Sequence, residues 1–344
     1  MKTLSKDLGL IKSTIDQANH IVIIQADNPD ADSLGSALAL EQILSGLNKQ
    51  TSLYCGIDIP GYLSYIDGWD RVADEIPKKF DVSIIVDTSS GDLLGNLNKT
   101  EQVKWVSSRP CVVIDHHDVK STIPYASVVY FQPAAATGEI IFELASILDW
   151  QLNLASKYAI FSAIMADSLG LTTVSTTPRT IRIIADLVEG GVNIADLESK
   201  RRDNMRKKPE LVHYKGELLK RIEYFGEDRV ATVTIPWEEI QEYSHDYNPS
   251  MLVLDDMRLT ANTDVAIAFK IYKDKRVTAK IKCNYGSGIA NKLAMVFGGG
   301  GHEYVSGFKV VDGRSFEVIK DKCVNEALRL LEDLKKDDSN VKAS

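Results

Sequence analysis

The sequence predicts an α/β protein, with a mainly parallel sheet first and a smaller α/β domain after it. Three observations carry that expectation. Short apolar runs alternate with helical patterns from the start to about residue 190, the order expected of strand-helix-strand units. Two of the runs, "VSIIVDTSS" and "PCVVIDHH", are almost wholly apolar, as strands covered on both faces are. From about Asn193 the composition shifts to a charge-rich helical stretch, then to strand-like runs with a hairpin signal at "KDKR".

Taken in order, the opening "MKTLSKDLGLIKSTIDQANH" reads as an amphipathic helix with Leu8, Ile11, Ile15 and Ala18 on one face. Its acids and amides leave no continuous apolar core for a signal peptide, so it reads as a cytoplasmic N-terminus. "HIVII" is a strand, "SLGSALALEQILSGL" a helix from near Ser33, and "QTSLYC" a strand. "GEIIFELASILDW" and "SKYAIFSAIMADSLG" are helical. "PRTIRIIADLVEGGV" is a helix with Pro178 in its first turn and a stop at Gly190-Gly191. "RVATVTIP", "VAIAFKIYKDKRVTAKIKCN" and "SGFKVVDG" supply later strands, and "SFEVIKDKCVNEALRLLEDL" a closing helix. The expected layout is a first domain over 1–190, a helical linker over 191–215, a second domain over 216–335 and a polar, disordered tail over 336–344.

Bulk composition narrows the function. The 344 residues suffice for two domains, and the net charge of −8 argues against a broad basic surface for long duplex DNA or an anionic membrane. No apolar run approaches the roughly 18–20 residues that cross a bilayer. Cys55, Cys111, Cys283 and Cys323 are scattered without CxxC spacing, so they read as small buried hydrophobes, not as zinc ligands.

Four polar clusters fall where strands or helices of the first domain end. Asp27, Asp30 and Asp32 follow "IVII", Asp87 follows "SIIV", Asp115, His116 and His117 close "CVVI", and Asp167 ends "AIFSAIMA". In open α/β sheets, ligands bind beyond the carboxyl ends of the strands. A single Asp after a strand is usually a turn former or helix cap, and that reading suits Asp92 and Asp118. Converging carboxylates are different: uncompensated, they would cost several kcal/mol through repulsion and desolvation. Bound divalent cations remove that cost. Oxygen ligands with one or two imidazoles suit Mn²⁺, Mg²⁺ or Fe²⁺. Two such ions about 3.5–4 Å apart are a device for phosphate-ester hydrolysis.

"NPDADSLGS" (28–36), "VDTSS" (86–90), "VVIDHH" (112–117) and "IMADSLGL…STTPRT" (164–180) resemble, in order and spacing, the four motifs of the DHH phosphoesterase family. "FGGGGHEYVSGF" (297–308) resembles the signature of the DHHA1 domain that follows in many members. The resemblance covers about residues 15–335, and the compact layout is most similar to the nanoRNase/pAp-phosphatase branch. It implies an N-terminal DHH domain, a C-terminal DHHA1 domain and an active cleft between them. It implies Mn²⁺ or Mg²⁺ at two sites. Asp30 would bind the first metal and Asp32 the second, with Asp87 bridging. His116 and Asp167 would complete the ligand set of the second metal. Asp115 would orient a histidine, and His117 would face the scissile phosphate. Asn28 would shape the loop. Asp27 has no implied role and reads as a solvated loop acid.

Two positions depart from the family pattern. Ala26 stands where a metal-binding His is expected, so the first metal would be held weakly. Lys280 stands where an Arg is frequent and offers a point charge without a bidentate fork. The glycine run has two readings: a flexible turn, or a place where backbone N–H groups approach an anion or base. Within the family pattern Gly299, Gly300, Gly301, His302, Ser306 and Lys280 would bind substrate, with Arg258 in the same basic pocket. The "KRRDNMRKK" run reads as a solvated face that could also draw in anions. The implied partners are short single-stranded oligonucleotides or small nucleotides, with a homodimer through the first domain. Two alternatives stay open: a nucleotide-binding protein with lost catalysis, favoured by Ala26, and a pyrophosphate or polyphosphate hydrolase.

Overall fold

The computed structural model describes residues 4–245 and 247–342. The chain divides into two compact units, residues 1–206 and 207–344. In the first unit, α1 (Lys6–Gln17) leads into β1 (His20–Ile24), α2 (Ala31–Gly46), β2 (Gln50–Tyr54), β3 (Val72–Ala73) and β4 (Val82–Val86). Short helices α3 (Gly95–Asn98) and α4 (Gln102–Ser107) precede β5 (Cys111–Asp115) and β6 (Val128–Phe131). Then come α5 (Thr137–Leu148), α6 (Leu154–Asp167), α7 (Pro178–Glu189) and α8 (Ile194–Asn204).

The six strands form one sheet in the order β3-β2-β1-β4-β5-β6. Every pairing in it is parallel. The chain builds outward from β1 to β3, then restarts beside β1 with β4 and builds the other way. That reversal opens a crevice at the carboxyl ends of β1 and β4, the place where such sheets bind ligands. β4 and β5 are buried at every residue, which explains their unbroken apolar runs. Alternate side chains serve two cores. Ile21, Ile23, Ile84, Val86, Val112 and Ile114 pack under α1, α2, α5 and α6. Val22, Ile24, Ile85, Cys111 and Val113 pack on the opposite face with Leu94, Leu97 and Val106.

Helix α2 begins two residues earlier than its pattern suggested, because Asp30 is its N-cap. The Asp30 carboxylate accepts from the Asp32 and Ser33 N–H groups, and the Ser33 hydroxyl oxygen accepts in return from the Asp30 N–H. The middle of α2 is buried on nearly every side. At Gly35 the backbone of α6 comes so close that a Cβ would lie 2.6 Å from the Ala159 carbonyl oxygen. Helix α7 opens with the Thr177/Thr180 capping box and Pro178 at its start, and ends at Gly190.

The second unit runs α9 (Pro209–Lys220), β7 (Glu223–Phe225), β8 (Val230–Ile235), α10 (Trp237–Tyr243), α11 (Pro249–Arg258), β9 (Val265–Ile271), β10 (Val277–Cys283), α12 (Ala290–Met295), β11 (Gly300–Gly301), β12 (Val305–Val310) and α13 (Phe316–Lys342). Its sheet, β11-β12-β10-β9-β8-β7, is antiparallel except for the β8–β9 pair. One face packs on α12 and α13, the other on α9, α10 and α11. The segment 191–215 divides between the units. Helix α8 lies in the first, whereas α9 buries Leu211, Tyr214 and Leu218 in the core of the second. Residues 336–342, read from composition as a disordered tail, continue α13, in a stretch with no Gly or Pro to stop a helix. No helix among the described residues is long and apolar enough to cross a membrane.

The α2–α6 contact yields a paired expectation. Gly35→Ala must push α6 away and should destabilise the protein by about 1–3 kcal/mol. Gly46→Ala, with nothing within 4 Å of the added Cβ, should leave the melting temperature unchanged or raise it. Equal melting temperatures for the two variants would contradict this account of the contact.

Candidate metal centre

The carboxyl ends of the first sheet collect the acids that the sequence singled out. Asp32 sits in the first turn of α2 and Asp167 at the last residue of α6. Asp87 follows β4 with a left-handed backbone, φ 61°, unusual for a residue with a Cβ. Its N–H still donates to the Ile114 carbonyl at 2.9 Å, so the turn aims the carboxylate across the end of β5.

His116 is the centre of the arrangement. Its Nε2 lies 3.7 Å from Asp32 Oδ2, 3.5 Å from Asp87 Oδ1 and 3.4 Å from Asp167 Oδ2. It nevertheless has no hydrogen-bond partner and is buried. Its Nδ1 lies 3.1 Å from the Ala134 carbonyl oxygen. A carbonyl can only accept, so Nδ1 carries the proton and in the neutral ring Nε2 presents a lone pair. A lone pair facing three carboxylates is the donor set of a cation site, completed by the backbone bond that orients a ligating imidazole. Two groups of these side chains have ligand atoms close enough to hold an ion: Asp32, His116 and Asp167, and Asp87, His116 and His117. The residues present therefore fit a divalent metal.

His117 Nδ1 lies 2.8 Å from Asp115 Oδ1 and 3.9 Å from Asp87 Oδ1. The hydrogen bond to Asp115 raises the His117 pKa. Burial pushes the Asp115 carboxyl up, but its hydrogen bonds, led by that from His117, outweigh this and hold it below the ordinary value. Burial, then the charge of Asp32, keeps the Asp87 carboxyl well above the usual range. The same two causes push Asp167 up to about 6.

Asp30 is outside both groups; its capping oxygen serves α2, and its charge acts on Asp87 from nearby. Asn28 is exposed on the turn before it. Ala26 is buried, and its carbonyl accepts from Cys55 Sγ at 3.2 Å. Gln25 is fully buried with neither amide atom partnered. Asp27 is not a solvated acid. Its Oδ2 accepts from the Asn96 N–H at 2.7 Å and its own N–H donates to Leu93 O at 2.7 Å, tying the loop after β1 to the segment after β4.

In the second unit Lys280, Gly299, Gly300 and Ser306 line one shallow depression of about 560 Å³. Lys280 has its pKa lowered by burial and then by Lys282, whose own charge is paired with Asp255 at 2.8 Å. The glycines have a packing reason beyond ligand approach. A Cβ on Gly299 would come 2.2 Å from Gly307 O, and one on Gly301, at φ 140°, 2.6 Å from Ser306 Oγ. At Gly298 and Gly300 the space is open to about 4.0 Å. The Ser306 hydroxyl donates to His302 O at 2.7 Å, and His302 itself is exposed. Arg258 is not among the lining residues; it bonds Asp255 and the Cys283 carbonyl. Four basic side chains of the 200–208 run are paired with acids, as Lys200–Asp67, Arg201–Glu198, Arg202–Glu198 and Arg206–Asp203.

Residues 20–171, the span holding this acidic cluster, match the DHH family, N-terminal domain. The first unit carries a DHH domain. Two similar proteins are named "Bifunctional oligoribonuclease and PAP phosphatase NrnA". That of Thermus thermophilus is 23% identical over 89% of this chain and 87% of its own length. That of Bacillus subtilis is 21% identical over 86% of this chain and 91% of its own. The crystal structure of an exopolyphosphatase-related protein from Bacteroides fragilis matches with a TM-score of 0.84 at 20% identity, covering 97% of this chain and 99% of that one.

The DHH domain also uses residues that the sequence reading passed over. Helix α5 has Ala136 at its N-cap, which offers no side-chain acceptor. Its first N–H groups go instead to Asp32: Thr137 N–H to Oδ2 at 2.7 Å and Gly138 N–H to Oδ1 at 3.0 Å. Buried Glu139 then ties this turn to α7, accepting from the Ala135 N–H, Arg179 Nε at 2.6 Å and the Thr180 hydroxyl at 2.9 Å. The visible signal was a helical pattern preceded by "AAA" where a capping residue belongs.

The raised carboxyl pKa values give the site a pH signature. Folded and metal-free, Asp87 and Asp167 hold protons that the unfolded chain releases near its ordinary value of about 3.9. Their contribution to stability is therefore full below that value and is lost as pH rises, through about 6 for Asp167. A cation must displace those protons. Affinity for Mn²⁺ or Mg²⁺ should fall as pH drops from about 7.5 to about 5.5, with proton uptake by buffer on binding. Calorimetry in buffers of different ionisation enthalpy reads this directly; an affinity flat across the range would refute it. Glu139→Ala removes the buried acceptor of the Ala135 N–H and the Thr180 hydroxyl and uncouples α5 from α7, while Arg179 keeps Glu143 at 3.3 Å and the Pro133 carbonyl at 2.8 Å; it should lower stability by about 1–3 kcal/mol in denaturant unfolding.

Proposed function

We propose that this chain is a metal-dependent phosphoesterase, most active with Mn²⁺, that hydrolyses short oligoribonucleotides and 3′-phosphoadenosine 5′-phosphate. The observation that carries the reading is the buried, unpartnered His116 Nε2 facing Asp32, Asp87 and Asp167. The names of the two relatives supply the substrate class, and their matches extend through both units.

When bound, divalent cations polarise phosphoryl oxygens and lower the pKa of coordinated water. Asp32, His116 and Asp167 would hold one ion; Asp87 would bridge to a second, with Asp30 beside it. Asp115 holds His117 upright, and the raised pKa of that imidazole suits it to donate a hydrogen bond or proton to the ester's oxygens. In the second unit, Lys280 and the open face at Gly300 would suit a phosphate, as a point charge beside a bare backbone. A short, end-gripping site agrees with the acidic net charge, which leaves no long basic track. A homodimer through the first unit belongs to the same reading and is read by light scattering.

A second reading, nucleotide binding without turnover, has one observation in its favour: Ala26 cannot ligate. Purified protein offered 3′-phosphoadenosine 5′-phosphate, the dinucleotide pApA, a short RNA and pyrophosphate, each with Mn²⁺ or Mg²⁺, separates the readings. We expect turnover of the nucleotides with Mn²⁺ and little of pyrophosphate. Tight nucleotide binding with no turnover of anything would establish the second reading instead. Ala26→His should raise activity at low Mn²⁺; an unchanged metal-dependence curve would show that the missing imidazole is not what limits the first ion.

A further inference from the structure

We propose that Thr137 is a positioning residue that sets the metal affinity of this centre, through its hydroxyl on Asp87 and its N–H on Asp32; this rests on the metal reading above. The Thr137 hydroxyl donates to Asp87 Oδ1 at 3.0 Å, and both residues are buried. That oxygen is the one turned toward His116 Nε2 at 3.5 Å. Thr137 thus holds the carboxylate that would bridge two ions, fixing in place the side chain that the left-handed turn aims across the end of β5.

The same residue reaches the other carboxylate. Its N–H and that of Gly138 take both oxygens of Asp32, with the Ser36 hydroxyl adding a third bond at 3.0 Å. Asp32 therefore replaces the local cap that Ala136 cannot provide, and in return is fixed by the first turn of α5. One helix terminus orients two acids from segments 50 and 105 residues away in the chain. Without the hydroxyl, Asp87 can rotate about its side-chain bonds, and an incoming ion must bear the entropy of fixing it. Outer partners of this kind typically change metal affinity by about 10–100-fold.

The test measures Mn²⁺ binding by electron paramagnetic resonance and calorimetry without substrate, so it does not depend on activity. Thr137→Val keeps the shape and removes the hydroxyl; Thr137→Ala removes it with less bulk, in case the first variant does not fold; Thr137→Ser retains it. Val or Ala should weaken Mn²⁺ binding by about tenfold or more while Ser stays within about threefold of the parent. Asp87→Asn is the control and should lose most affinity. If Asp87→Asn loses binding but Val and Ala bind Mn²⁺ like the parent, Thr137 has no such role, even if their metal-free melting temperatures drop. If Asp87→Asn itself binds Mn²⁺ unchanged, the metal reading fails and this proposal falls with it.

Discussion

Three carboxylates facing one imidazole nitrogen that has no hydrogen-bond partner, His116 Nε2, is the constraint on which the first unit is organised. Left to themselves, Asp32, Asp87 and Asp167 would separate or take up protons, and the raised pKa values of Asp87 and Asp167 record that pressure. The fold prevents separation by placing each acid at the end of a different rigid element. The strand-order reversal between β1 and β4 sets two of those ends side by side, and β5 adds His116. Asp87 stands in a backbone conformation that a side chain disfavours, which persists only because the surrounding sheet enforces it.

Rigidity behind the acids comes from a relay of buried polar contacts. Arg179 and Thr180 at the start of α7 hold Glu139; Glu139 holds the turn before α5; that turn holds Asp32 and Asp87. Each buried group in the relay has a partner, as a low-dielectric interior demands. His116 Nε2 is the exception at the relay's end, and it is the atom a cation would satisfy. The second unit follows a different logic. Gly299 and Gly301 let β11 lie flat on β12, and the bare backbone at Gly300 lines the same depression as Lys280.

Much of this was legible in the chain. Apolar runs ending in Asp30, Asp32, Asp87 and Asp115-His116-His117 mark parallel strands whose polar residues gather at one edge, and the sheet has that form. Elsewhere side-chain chemistry was read correctly but its partner was invisible. Asp27 looked like a loop acid because Asn96, which it binds, lies far along the chain. The basic 200–208 run read as a solvated face that could also draw in anions, and the pairs it makes with Glu198, Asp67 and Asp203, the first two outside the run, were not visible in it. Ser306 looked like a substrate donor, but its hydroxyl is committed to His302 O.

By itself, the sequence determined the main strands and helices and the polar ends of the first sheet, though not that α13 runs on through the polar tail to Lys342, because hydrophobic period, capping residues and Gly or Pro stops act over a few neighbours. It also determined the chemical kind of the centre, because carboxylates and imidazoles at strand ends have few other uses in such number. Only the tertiary structure decided which acids meet. Asp32, Asp87, His116 and Asp167 converge while Asp30 turns aside to cap α2, and Thr137, an unremarked residue in the chain, joins two of them. The reason is physical: a hydrogen bond or a shared cation depends on separations of about 3–4 Å, and those are set by the packing of distant segments, not by spacing along the chain.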